Sequence, residues 1–142
     1  MINQRRGDGS LQHLITLAGL GRAEIEALLE HAQRYARALG ERAPSNRALA
    51  GLTIGNLFTE PSTRTRVSFE LAGRRLGAEV VNLEVQLSSR AKGETMLDTI
   101  HTLESLHFDG FVIRDSEPGV VAHVAAHVAA HVSVFSAGEA HL

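Results

Sequence analysis

Two spacings of apolar residues alternate along this chain, and each change of spacing marks a new element. From Arg22 to Leu39, residues Ile25, Leu28, Leu29, Ala32, Tyr35, Ala36 and Leu39 recur every three or four positions, which predicts a helix with one apolar stripe, closed by Gly40. A polar loop from Glu41 to Arg47 follows. The mostly apolar run Leu52 to Phe58 then predicts a buried strand. Thr63 to Leu76 returns to helical spacing and stops at Gly77. The unit repeats. Glu79 to Leu83 predicts a short strand, Gln86 to Lys92 a polar loop, and Glu94 to Leu106 a helix with Met96, Leu97, Ile100, Leu103 and Leu106 inward. Gly110 to Ile113 predicts a third strand. Pro118, suited to a first helical turn, opens a helix to about Ala130, and Val132 to Phe135 forms a fourth strand that Ser136, Ala137 and Gly138 break.

Strands alternating with helices predict an α/β fold: a parallel four-stranded sheet, helices on both faces, right-handed crossovers. Ligands of such sheets gather at the carboxyl ends of the strands. Both the turn Pro61 to Arg66 and the residue Arg114 fall at such ends.

Composition narrows the partners. A chain of 142 residues buries one ordinary core, and 44% apolar with 21% charged residues is usual for a globular domain. The formal net charge of -2 gives no general attraction to nucleic acid or anionic membrane, so neither is expected as a partner. With no cysteine, disulfides and thiolate metal sites are excluded. The start, Met1 to Ser10, is polar and unlike a signal peptide, and no segment is apolar for long enough to span a bilayer. A cytoplasmic protein with a flexible lead over residues 1–10 is the expectation.

The turn Phe58-Thr59-Glu60-Pro61-Ser62-Thr63-Arg64-Thr65-Arg66 carries the clearest chemistry. Ser62 in the capping position would leave the N–H groups of Thr63, Arg64 and Thr65 at the positive end of a helix dipole, a geometry that binds anions. The hydroxyls of Thr63 and Thr65 and the planar fork of Arg64 add donors suited to phosphate. An ordinary capped helix with solvated arginines fits the same four residues, but the position directly after a buried strand favours a site.

These residues, followed by Val67-Ser68-Phe69-Glu70, Arg75-Leu76-Gly77-Ala78, Lys92-Gly93-Glu94-Thr95, Asp98-Thr99 and Val112-Ile113-Arg114, resemble the first domain of the aspartate and ornithine carbamoyltransferases from about Leu11 to Gly138. The resemblance implies a carbamoyl phosphate-binding domain over residues 11–138. It implies that Ser62, Thr63, Arg64 and Thr65 bind the phosphate, that Thr65 also reaches the carbonyl oxygen, and that Arg114 polarises the carbonyl and steadies the phosphate. Where the family commonly continues after this arginine with His-Pro, this chain has Asp115-Ser116, an acidic neighbour able to pair with Arg114 or weaken its field. Glu60 matches a position that bridges two family domains. Ser88 and Lys92 match the aspartate branch rather than the ornithine branch. They imply a loop serving the neighbouring subunit's site, hence a homotrimer, with regulatory or dihydroorotase-like subunits as further partners.

The activity so implied is transfer of the carbamoyl group from carbamoyl phosphate to L-aspartate, an early step of pyrimidine synthesis, with Arg64, Thr65, Lys92 and Arg114 catalytic and no cofactor or metal. Another amine acceptor such as ornithine, or a non-catalytic phosphate-binding or trimer-forming domain, are the alternatives. The family's next motif, His-Pro-Thr-Gln, does not appear before Leu142, and His141 does not match it. Residues 139–142 are therefore expected to begin a link to an acceptor domain outside this sequence, leaving the chain inactive alone. His123, His127 and His131, four residues apart, invite a metal, but no carboxylate stands at a supporting spacing, and a polar stripe opposite a helix's core face explains them better.

Overall fold

Four parallel strands form one sheet in the order β2-β1-β3-β4. The computed structural model describes residues 2–84 and 92–139, with the backbone alone for 92–94. The elements run α1 (Arg22–Gln33), β1 (Thr53–Phe58), α2 (Thr63–Arg75), β2 (Glu79–Glu84), α3 (Lys92–Ser105), β3 (Gly110–Asp115), α4 (Val120–Ala125) and β4 (Ser133–Glu139). On one face, Met96 and Ile100 of α3 and Val120, Val121 and Val124 of α4 share a core with Leu57, Phe111, Ile113 and Val134 of the strands. The other face carries α2, packed over β1 and β2. Strand alternation thus sends apolar side chains to two covered faces, the arrangement expected of a parallel sheet.

The segment before α1 covers an edge. The N–H of Leu14 donates to the Val134 carbonyl at 3.0 Å, and the N–H of Ser136 donates to the Leu14 carbonyl at 3.0 Å. These bonds satisfy part of β4's free side, which otherwise would offer a row of unpaired backbone groups. The lead expected to be flexible folds back here. Gln4, only 4% exposed, donates to the Thr16 carbonyl and accepts from Ile15 and Thr16, while Arg5 pairs with Glu24 of α1 at 2.6 Å. That guanidinium, helped by the N–H of Gly21, holds the Glu24 carboxyl down at about 2.

His13 gives this edge a pH dependence. Its buried Nδ1 accepts the N–H of Val134 at 3.0 Å, and burial together with the Arg6 charge lowers its pKa from the ordinary 6.5. The neutral ring is the one that fits. Stability from this contact is therefore complete above 6.5 and declines as the pH falls below it, because the unfolded chain takes up the proton first. Melting profiles should show His13→Asn losing less midpoint than the parent between pH 8 and pH 5; equal losses would refute the assignment.

Several boundaries differ from the sequence expectations. The first helix ends at Gln33, not Leu39, and buries none of its stripe; Leu28, Leu29 and Leu39 are 42%, 62% and 104% exposed. Without a packing surface the periodicity has nothing to hold it, and Arg37 closes the end by donating to the carbonyls of Arg34 and Ala36. α4 stops at Ala125 instead of about Ala130, and begins after Gly119, so Pro118 precedes the helix rather than sitting in its first turn. Past its end, Glu104 of α3 accepts the N–H of Ala129 at 2.9 Å. β4 continues to Glu139 through the residues expected to break it. The loop expected over Gln86 to Lys92 lies almost wholly outside the described residues.

Candidate functional site

The strand order creates a switch point. From β1 the chain leaves through α2 to β2 on one side and later reaches β3 on the other side, so connections diverge from the carboxyl ends of β1 and β3. A crevice at such a divergence is where open α/β sheets take their ligands. Phe58 and Arg114 stand in register there, the Thr59 N–H donates to the Arg114 carbonyl at 3.1 Å, and Glu60 to Thr63 carry the chain into α2.

Ser62 occupies the N-cap of α2, but its hydroxyl makes no capping bond, contrary to expectation. Its φ of −153° and ψ of 79° lie off the usual cap conformation, so only its carbonyl serves the helix, accepting the Arg66 N–H at 2.9 Å. The N–H groups of Thr63, Arg64 and Thr65 consequently meet no acceptor among the described residues. The first turn of α2 contains no acidic side chain to offset the dipole. Beside it lies a hollow of about 190 Å³ whose walls include Ser62, Thr63, Arg66, Glu60 and Glu84. Arg64, exposed at the surface, and Thr65 belong to the same turn but do not line that hollow.

Arg114 is held from two sides. Its Nε donates to Glu60 Oε1 at 3.0 Å and its Nη1 to the Ala137 carbonyl at 2.9 Å, with the side chain 31% exposed. The carboxylate hydrogen-bonded to Arg114 is Glu60. Asp115, fully buried, accepts from the Thr59 hydroxyl at 2.9 Å and from the Glu117 N–H at 2.8 Å, tying the ends of β1 and β3 together.

A second set of polar residues steadies α2, and the sequence reading overlooked it. Asn56, buried within β1, donates to Asn82 Oδ1 of β2 at 3.1 Å and to the Arg66 carbonyl at 3.4 Å. Asn82 in turn donates to Glu70, which also pairs with Arg74 at 3.2 Å. The Asn82 hydrogen bond, reinforced by Arg74, lowers the Glu70 pKa, so this carboxylate stays charged at the helix surface. Two asparagines interrupting apolar strands at paired positions, Asn56 and Asn82, are the signal that pointed to it.

Of the other expected site residues, Ser88 lies outside the described residues and Lys92 opens α3. His127 and His131 both stand beyond the end of α4, so the three histidines do not share one helical face; His123 and His127 contact each other with ring centroids 4.6 Å apart. Among the described residues no helix is long and apolar enough to cross a membrane.

Comparison with known proteins places the chain in a family. Residues 12–142 match the family model of the aspartate/ornithine carbamoyltransferase carbamoyl-P binding domain. Over 136 residues the chain is 43% identical to the aspartate carbamoyltransferase catalytic subunit of Xanthomonas campestris, covering 96% of this chain and 43% of that one. The Trypanosoma cruzi aspartate transcarbamoylase, solved with carbamoyl aspartate and phosphate, is 38% identical with a TM-score of 0.70, over 91% of this chain and 39% of that one. The ornithine carbamoyltransferase of Pyrococcus furiosus is 32% identical with a TM-score of 0.74, over 90% and 40%. The chain thus spans less than half the length of these relatives.

Proposed function

The chain belongs to the aspartate/ornithine carbamoyltransferase family through its carbamoyl-P binding domain, and from that premise we propose that it supplies the carbamoyl phosphate half-site of an aspartate carbamoyltransferase. One observation carries the reading: three unspent N–H groups at the start of α2 stand at the switch point where Arg114 lies near the end of β3. A dianionic phosphate meets the positive helix end, and the hydroxyls of Ser62, Thr63 and Thr65 with the Arg64 fork complete its shell.

In the reaction the amine of aspartate attacks the carbonyl carbon of carbamoyl phosphate. The carbonyl π electrons move to oxygen, the tetrahedral intermediate collapses, and phosphate leaves with the C–O bonding pair while the amine loses a proton. Thr65 and Arg114 donate to the developing oxyanion; Ser62, Thr63 and Arg64 donate to the leaving phosphate. Such donors accelerate by being aimed beforehand at charge that appears only in the transition state. Arg114 must turn part of its fork from Glu60 or Ala137 to the ligand, or use the nitrogen that neither holds.

On this reading residues 11–138 form the domain, and a separate half of the enzyme binds the acceptor. The working unit is a cytoplasmic homotrimer in which Ser88 and Lys92 complete a neighbouring subunit's site. Support for these points is the family alone. Likeness of fold does not choose the acceptor, since the ornithine enzyme superposes as well as the aspartate enzyme does. The higher identity to an aspartate carbamoyltransferase and the pair Ser88 and Lys92 favour aspartate. An acceptor panel run on the protein that joins this domain to its acceptor-binding half should yield carbamoyl aspartate; turnover with ornithine and none with aspartate would reject the assignment.

A further inference from the structure

The strand β4 was expected to break at Ser136 to Gly138, yet it continues, and the way it does so bears on Arg114. Ile113 pairs with Ser136, and the next recorded pair is Asp115 with Glu139, so β4 spends one more residue than β3 over this interval. That extra residue is a β-bulge. It sits opposite Arg114, and bulges beside active sites commonly re-aim a side chain.

Its two residues act on the arginine differently. Ala137 turns its carbonyl to accept Nη1 at 2.9 Å. Gly138 has φ of +126°, and a Cβ added there would stand 2.7 Å from Arg114 Nη1 and 3.3 Å from Cζ. A side chain there would push the guanidinium aside. The Gly138 N–H donates to Ser136 Oγ at 3.3 Å, which closes the bulge on itself. With Glu60 holding Nε on the other side, the guanidinium is fixed at two nitrogens while Nη2 keeps no protein acceptor among the described residues.

We propose that the Ala137–Gly138 bulge is the positioning device for Arg114: the bare Cα of Gly138 opens the lane the guanidinium occupies, and the Ala137 carbonyl fixes its rotation so that Nη2 remains for the ligand. The placement of Arg114 stands on geometry alone; its use on carbamoyl phosphate rests on the proposed function. Gly138 is a positioning residue and touches no substrate.

The test separates the two. The Arg114 Nε–H resonance, identified by its loss in Arg114→Ala, reports the guanidinium without any ligand. In Gly138→Ala it should shift or vanish, and titration with carbamoyl phosphate should show binding weakened by about tenfold to a hundredfold, the scale of a misplaced catalytic group. The drop in melting midpoint caused by Gly138→Ala should shrink when Arg114→Ala is also present, because the collision is gone and only backbone strain remains; this comparison also decides the matter if the single variant folds poorly. An unchanged Nε–H resonance, or the same midpoint drop in both backgrounds, would overturn the proposal. If the resonance responds but the parent chain does not bind carbamoyl phosphate, the positioning stands and the proposed function falls.

Discussion

Arg64→Ala is expected to lower turnover of the complete transferase by about two to three orders of magnitude, the usual consequence of removing one preorganised donor to developing charge. The reason is local. The N–H groups at the start of α2 can satisfy only part of a phosphate, and Arg64 is the exposed cation of that turn, with no ion pair to a described carboxylate that binding would first have to break. Arg114 differs, since Glu60 already holds it at 3.0 Å and truncation there would also release a carboxylate into the crevice. Steady-state kinetics of Arg64→Ala against the parent, with circular dichroism to show the fold intact, checks the expectation; turnover within a factor of about three would exclude Arg64 from the machinery, since that is under the 1.4 kcal/mol of a tenfold effect.

Phe111→Ala should cost about 3–5 kcal/mol of stability, the range for emptying a buried aromatic site. Phe111 is fully buried near the start of β3, in register with Gly55 of β1 and Val134 of β4. Its ring stacks on Phe108 at 5.8 Å with planes 4° apart. A Cβ at Gly55 would lie 3.2 Å from both rings, so the glycine is what lets the pair lie against β1. Strands on either side prevent the site from collapsing, and the cavity term is therefore paid nearly in full. Against a total of about 5–15 kcal/mol for an ordinary domain, the loss is large. Urea unfolding with unchanged slope measures it, and a loss under about 1 kcal/mol would show that Phe111 is not central to the core, given that ordinary substitutions cost that much.

How much of this was legible in the sequence follows from what periodicity reports. It reports apolar positions, and the elements came out in the right order, with β1, α2 and β2 at nearly the right length, though the buried α4 proved shorter than expected. Where no surface receives them it overreached: the stripe of α1 continues past Gln33 in sequence but not in structure. Gly138 misled for a different reason. A glycine that ends a strand and a glycine that admits a bulge look alike until the neighbouring strand's register is known. Ser62 was placed correctly as the N-cap, but whether its hydroxyl bonds the helix depends on two dihedral angles that residue type does not set. The polar link through Asn56, Asn82 and Glu70 joins three elements, and no local window contains all of it.

The turn from Ser62 to Thr65 was legible as a helix start because its geometry is local. Thr63, Arg64 and Thr65 follow one another, and a strand before them with a helix after them is enough to aim their N–H groups outward. Arg114 was legible only as a strand-end arginine; the sheet order is what brings it beside Phe58.

The most direct test of carbamoyl phosphate binding at this switch point is a phosphorus NMR titration of the chain with carbamoyl phosphate, set beside its Arg64→Ala variant. Saturable binding by the parent, displaced by inorganic phosphate and lost or at least tenfold weaker in the variant, is the predicted result, the scale expected when a charge-assisted donor to phosphate is removed. Equal binding by both proteins, or none by the parent, would contradict it.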